Sequence, residues 1–333
     1  MLKIGILGAG RIGQVHARTI KSLDTARVVA VSDFYPETAE ALAKTCGAEA
    51  RSSDEIIASA DIDAVVIGTP TDTHYGLIEA SAKAGKAIFC EKPVDMSADN
   101  IRTLQAIVSE AGVPFFVAFN RRFDPNFAHL QSRIEAGDIG DVEIVTILSR
   151  DPAPPPIGYI KSSGGIFRDM MIHDFDMARF LLGEEPVTVF AVGAALVDPE
   201  IGAAGDVDTA AVTLTTASGK ICQISNSRRA TYGYDQRIEV HGSKGMLRGE
   251  NVLENTVQLA TADGFGTAPT MHFFLERYAR AYAAEMEHFI SAVTQGKRPT
   301  PDITDGLRAQ MLADAATLSW ETGHPVSLEN GGD

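Results

Sequence analysis

The chain has 333 residues, of which 45% are apolar and 22% charged. That length is more than one hydrophobic core usually holds and suits two domains, and the composition excludes disordered or collagen-like chains. Lys and Arg number 29 against 44 Asp and Glu, a formal charge of −15, which argues against partners such as nucleic acid or anionic membranes.

From the N-terminus, MLKIGILGAGRIG passes from a short apolar stretch straight into glycines, which is not the pattern of a signal peptide. Short β-rich runs follow at 3–7, 27–32, 63–68, 87–90 and 113–119, dense in apolar residues without alternation, as strands buried on both faces should be. Helical stretches at 12–22, 36–46, 73–84 and 98–111 separate them. Alternating β and α predicts a doubly wound parallel sheet, a Rossmann domain over residues 1–121. Residues 122–333 change rhythm. A helix at 125–135, a strand at 143–149 and a proline-rich turn lead to a long helix at 165–182. Consecutive strands at 187–197, 209–216, 220–225, 237–241 and 256–260 then predict a mostly antiparallel open sheet in a C-terminal α+β domain. Helices at 274–294 and 304–321 close the chain, with the option of packing back on the first domain, and 330–333 reads as a loose tail. No apolar run approaches the roughly 20 residues of a membrane span. Cys46, Cys90 and Cys222 are far apart and odd in number, so they are expected as buried free thiols in a reducing cytoplasm.

Gly8-Ala9-Gly10-Arg11-Ile12-Gly13 follows the first strand and opens a helix, the context a dinucleotide fingerprint requires. Gly8 allows the tight turn, Gly10 the approach of a pyrophosphate, and Gly13 the packing of helix on strand. Asp33, at the end of the second strand, can accept hydrogen bonds from a ribose 2′-hydroxyl and would repel a 2′-phosphate, which favours NAD over NADP. Two further strand ends point at the same crevice: Thr69 and Pro70 with His74, and Glu91 with Lys92. Lys92 can present an ammonium to a substrate oxygen or stand solvated in a loop, and His74 also reads as a packed or capping residue. In the long helix Asp169, His173 and Asp176 are spaced four and three apart, so they are expected on one face. An Asp-x-x-x-His pair suits acid–base chemistry or a purely structural contact, and no second histidine at helical spacing supports a metal site.

Three stretches carry a resemblance: GAGRIG, the EKP tripeptide Glu91-Lys92-Pro93, and the segment GGIFRDMMIHDFD that contains Asp169 and His173. Over essentially its whole length the chain resembles the Gfo/Idh/MocA oxidoreductases. Ser149-Arg150-Asp151-Pro152, Gly158-Tyr159-Ile160-Lys161 and the segment from Ser227 to Arg237 are similar to those of its inositol 2-dehydrogenases. The resemblance implies NAD-dependent oxidation of myo-inositol at its axial C2 hydroxyl to 2-keto-myo-inositol, the first step of inositol catabolism, with Lys92, Asp169 and His173 catalytic. It also implies a tetramer assembled through the open sheets. Arg122, Asp151, Tyr232 and Tyr234 are further candidates for cofactor or polyol contacts. Another neutral polyol or sugar, scyllo-inositol among them, stays open as substrate, and an inactive NAD-sensing regulator is the reading from another class.

Overall fold

The computed structural model describes residues 1–328, so the tail expected at 330–333 lies outside the described residues. The first elements are β1 (Leu2–Leu7), α1 (Arg11–Lys21), β2 (Ala26–Ser32), α2 (Pro36–Cys46), β3 (Glu49–Ala50), α3 (Ser53–Ala58), β4 (Ala64–Ile67), α4 (His74–Lys83), β5 (Ala87–Cys90), α5 (Ala98–Ala111) and β6 (Phe115–Val117). They form a six-stranded sheet in the order β3-β2-β1-β4-β5-β6, parallel at every pairing. This is the doubly wound Rossmann arrangement that the alternating apolar runs predict.

Next come α6 (Pro125–Glu135), β7 (Val142–Arg150), α7 (Ile157–Ser163), α8 (Gly165–Asp169), α9 (Ile172–Leu182), β8 (Pro186–Ala194), α10 (Pro199–Ala203), β9 (Thr209–Thr216), β10 (Ile221–Ser227), β11 (Asp235–Gly242), β12 (Gly245–Gly249), β13 (Gln258–Thr261), β14 (Gly264–Thr267) and α11 (Phe274–Arg277). The chain continues through α12 (Ala279–Thr294), α13 (Ile303–Thr322) and β15 (Val326–Ser327). By its contacts the chain divides into two compact units, Met1–Phe123 with Ala281–Gln310, and Asp124–Arg280 with the chain from Met311 onward. No helix among the described residues is long and apolar enough to cross a membrane.

In the first unit Ile4, Ile6, Val66, Phe89 and Phe116 are fully buried, and Met286, Phe289 and Ile290 of α12 join the same cluster. Sheet register places the carboxyl ends of the strands side by side. Leu7 stands opposite Ser32 and Ile67, Ile67 opposite Cys90, and Cys90 opposite Val117. The residues that follow on each strand, Gly8, Asp33, Gly68 and Glu91, therefore emerge along one edge.

The second unit holds a seven-stranded sheet in the order β12-β11-β7-β10-β9-β8-β15. Only β7 and β10 run parallel; the other pairings are antiparallel. Register separates its two faces. The row of Val189, Leu214, Cys222, Val145 and Val240 is buried. The neighbouring row of Phe190, Thr213, Gln223, Thr146 and Glu239 faces the other way and is partly open. The run at 256–260 is not part of this sheet; it pairs with β14 as a separate exposed hairpin. Cys90 and Cys222 are buried as expected, whereas Cys46 is only half-buried.

The long helix expected at 165–182 is interrupted. The Met170 and Met171 amides both donate to the Ile166 carbonyl, at 3.1 and 2.9 Å, so the chain takes a turn one residue wider than an α-turn. The Asp174 amide then closes a tight turn on Met171 at 2.8 Å. Helical spacing does not carry across such a junction. Asp169 ends α8, whereas His173 and Asp176 both lie in α9, so the three residues do not share one uninterrupted helix.

Candidate active site

The glycine loop of the first unit is shaped for close approach. Gly8 has φ +101°, and a Cβ there would meet the Gly68 carbonyl carbon and oxygen at 2.7 Å. At Gly13 a Cβ would come within 1.9 Å of the Gly8 oxygen. Gly10, by contrast, has open space where its side chain would be, and it caps α1, whose first-turn amides lack helical acceptors. Arg11 is exposed at the start of that helix and Ile12 is half-buried behind it. Asp33 accepts from the Ala9 amide at 2.7 Å and from the Tyr35 amide at 2.9 Å, which holds its carboxylate beside the loop. An open Gly10, amides at a helix start and a fixed carboxylate one strand away fit the pyrophosphate and ribose of a dinucleotide.

The loops after β4 and β5 are tied together. Thr73 donates to the Thr69 hydroxyl at 2.6 Å, which shapes the turn through Pro70. His74 is buried, with one ring nitrogen 3.0 Å from the Thr69 carbonyl and the other 2.9 Å from the Pro93 carbonyl. Burial pushes its pKa below the ordinary histidine value against the pull of those carbonyls. Its position is that of a clamp between two loops. Glu91 turns inward: Oε1 lies 2.7 Å from Nε2 of the fully buried His16, and Oε2 accepts from the Lys92 amide at 3.3 Å. Lys92 itself is half-buried. Arg122 pairs with Asp305 of α13 at 2.8 Å.

In the second unit Asp169 is held from two sides. The Tyr159 hydroxyl donates to Oδ1 at 2.8 Å, and both terminal nitrogens of Arg228 reach Oδ2 at 3.4 Å. Arg228 is 1% exposed and also stands 3.9 Å from Asp206. Burial raises the Asp206 carboxyl above its ordinary range, although Arg228 and the Ile166 and Val207 amides oppose the rise. Half of Tyr159 is open, but its hydroxyl end is turned in; burial, and then the Asp169 charge, raise its pKa. Neither Tyr159 nor Arg228 was singled out above as a site residue, although both fall in the stretches quoted there.

His173 is half-buried, and its neighbour fixes the helix beneath it. Asp174 is fully buried, accepting from Ser149 of β7 at 2.5 Å and from Asn226 of β10 at 3.0 Å. Asp176 is equally buried and lies 3.7 Å from Arg179, so it belongs to the packing of α9. The half-buried Asp151 follows β7 and donates its amide to Ser227. Tyr232 is 50% exposed, and its hydroxyl donates to Asp235 at 2.6 Å. Burial would raise the Asp235 carboxyl, but hydrogen bonds from Arg237, Tyr232 and Asn251 hold it below the ordinary range. Tyr234 is buried edge-on against Tyr278, 6.0 Å between ring centres, and its placement is that of a core residue.

Fold and residues together define an NAD-dependent oxidoreductase, and the chain belongs to the Gfo/Idh/MocA family. Residues 2–119 match that family's NAD-binding Rossmann fold and residues 131–328 its C-terminal alpha/beta domain. Among its relatives, the inositol 2-dehydrogenase of Rhizobium meliloti is 56% identical over 98% of this chain and 99% of its own length. The myo-inositol 2-dehydrogenase of Thermotoga maritima is 46% identical over 98% and 99%. Among solved structures, a myo-inositol dehydrogenase from Corynebacterium glutamicum is 43% identical with a TM-score of 0.95, covering 99% of this chain and 100% of its own. The scyllo-inositol dehydrogenase of Lactobacillus casei, with bound NAD(H) and scyllo-inositol, is 30% identical with a TM-score of 0.92, covering 98% and 99%.

Proposed function

We propose that this enzyme oxidises myo-inositol at its axial C2 hydroxyl to 2-keto-myo-inositol with NAD, as the entry reaction of inositol breakdown. The observation that carries the reading is 56% identity along nearly the whole chain to a protein named for inositol 2-dehydrogenation. The polar residues around Asp169 are in keeping with a neutral polyol.

NAD, when bound, supplies the acceptor for the hydride that leaves the carbinol carbon. His173 takes the proton of the hydroxyl, a task suited to an imidazole. Lys92 donates a hydrogen bond to the same oxygen and stabilises the negative charge that grows on it. Asp169, restrained by Tyr159 and Arg228, orients the reacting groups.

A homotetramer in the cytoplasm completes the proposal. The open face of the second unit's sheet carries Phe190, Val192, Ile144 and Met246, each 38–51% exposed. Such a face is stabilised by covering it with another copy of itself. The three free cysteines suit a reducing compartment.

The test is NADH formation with myo-inositol, scyllo-inositol, chiro-inositols and glucose. Myo-inositol is expected to give the highest kcat/KM. A preference of more than about tenfold for another member of the set, equivalent to about 1.4 kcal/mol in transition-state binding, would replace it as the substrate.

A further inference from the structure

Beneath the Lys92 turn lies a group of titratable side chains that the mechanism above does not use. His16, on α1, is fully buried with Nε2 on Glu91. A carboxylate offers only acceptors, so Nε2 carries the hydrogen of that contact. The other ring nitrogen, Nδ1, is buried without a hydrogen-bond partner. Glu285, on α12, is also fully buried, and both of its carboxyl oxygens lack partners.

Two contacts bring the part of α12 that carries Glu285 beside His16. Tyr282, three residues earlier, stands edge-on to that ring at 6.0 Å. Phe289, four residues later, packs against Phe89 at 5.5 Å, and Phe89 lies 4.8 Å from His16. Glu285 lies in the turn between these two side chains, and its carboxyl feels the charge of Glu91, the partner of His16. The buried atoms left without partners are therefore one ring nitrogen and one carboxyl group in the same part of the core.

We propose that Glu285 and His16 are positioning residues for Lys92: the Glu285 carboxyl reaches His16 Nδ1 through one enclosed water, and the resulting Glu285–His16–Glu91 unit fixes the carboxylate that holds the Lys92 amide. A water that accepts from the Glu285 carboxyl and donates to Nδ1 satisfies both groups at once. Burial, and then the Glu91 charge, raise the Glu285 carboxyl well above its ordinary value, which favours the proton on the carboxyl. The unit links α12, the cofactor-binding helix α1 and the Lys92 turn through one buried chain. A displacement of about 1 Å at a reacting group can cost about a hundredfold in rate, so a device remote from the chemistry can govern turnover.

The inference rests on the assignment of Lys92 to the reacting oxygen. Its test uses the full-length enzyme with whichever inositol the wild type oxidises, so wild-type inactivity on every inositol would refute the functional reading and not this one. Glu285→Leu replaces a buried carboxyl with an apolar side chain of similar size, and Tm is expected to hold or rise. Turnover is expected to fall at least about tenfold, with KM for the polyol and Kd for NADH within about threefold of wild type. Glu285→Gln, whose amide can still donate to the bridging water, is expected to restore most of that loss. His16→Gln is expected to reproduce it, and the double variant Glu285→Leu with His16→Gln to lose no more than the larger single loss. A Glu285→Leu enzyme with more than about half of wild-type kcat, or losses that multiply in the double variant, would overturn the proposal. Should Glu285→Leu not fold, His16→Gln decides alone: unchanged kcat overturns the proposal, and a fall at constant NADH affinity supports it.

Discussion

Replacing Arg228 by Met removes a buried cation from between two carboxylates. Its guanidinium stands 3.4 Å from Asp169 and 3.9 Å from Asp206. At an effective dielectric constant of about 20 these separations correspond to about 5 and about 4 kcal/mol of gross attraction. Relief of the guanidinium's desolvation offsets part of this, and breaking a buried pair from one side leaves a net loss of about 3–5 kcal/mol. For a unit of 150–250 residues that lowers Tm by about 6–20 °C. The deficit depends on pH through Asp206. Burial already holds that carboxyl above its ordinary range, and removing Arg228 lets it rise further. A carboxyl with a raised folded pKa contributes stability below its unfolded pKa and loses it as pH climbs to the folded one. The variant's deficit is therefore smaller near pH 5 than near pH 8, by about 1.4 kcal/mol for each unit of further rise. Thermal unfolding followed by circular dichroism at both pH values measures the difference, and NADH formation at pH 8 is expected to fall at least about tenfold as Asp169 loses its anchor. Equal deficits at the two pH values would refute the assignment of Arg228 as the charge that holds Asp206 down.

Wild type is expected to prefer NAD over NADP by at least about 10²-fold in kcat/KM, because a carboxylate meets the 2′-phosphate at contact range. Asp33→Ser loses charge-assisted hydrogen bonds of about 1.5–3 kcal/mol, weakens NAD use and makes NADP turnover detectable; an unchanged ratio would remove Asp33 from the ribose. His173→Ala is expected to lower kcat by roughly 10²–10⁴ while NADH binding, followed by fluorescence, stays intact. A variant retaining more than about a third of wild-type kcat would assign the proton to another group. Val192→Lys introduces a charge on the open sheet face, and light scattering is expected to show the tetramer giving way to smaller species; a wild-type monomer at micromolar concentration would refute the assembly.

The first unit was nearly all legible in the sequence because its strands are covered on both faces. An uninterrupted run such as Ala87–Cys90 leaves little choice of structure. What escaped was β3, two exposed residues with no apolar signature, and α3, whose start is marked by the reciprocal capping of Ser52 and Glu55. In the second unit the strands of the main sheet were mostly legible as consecutive β-rich runs set off by glycine turns, but β12, with its two glycines, and the two-residue β15 were not. The break between α8 and α9 leaves no trace in composition, since Met170 and Met171 suit a helix as well as a turn. Arg228, His16 and Glu285 escaped for a different reason. Their significance lies in burial beside partners 59, 75 or more residues away in the chain, or in the lack of a partner, and a local pattern carries neither.

The wide turn at Met170–Met171 acts as a gear with one fixed step. Each residue added to or taken from a helix rotates everything beyond it by about 100°. Asp169 and His173 ride on opposite sides of that step, so their relative aim can be changed only in whole increments that would also drag Asp174 off Ser149 and Asn226. A substitution that shifted this junction by one residue would therefore disturb the helix packing together with the aim of both side chains.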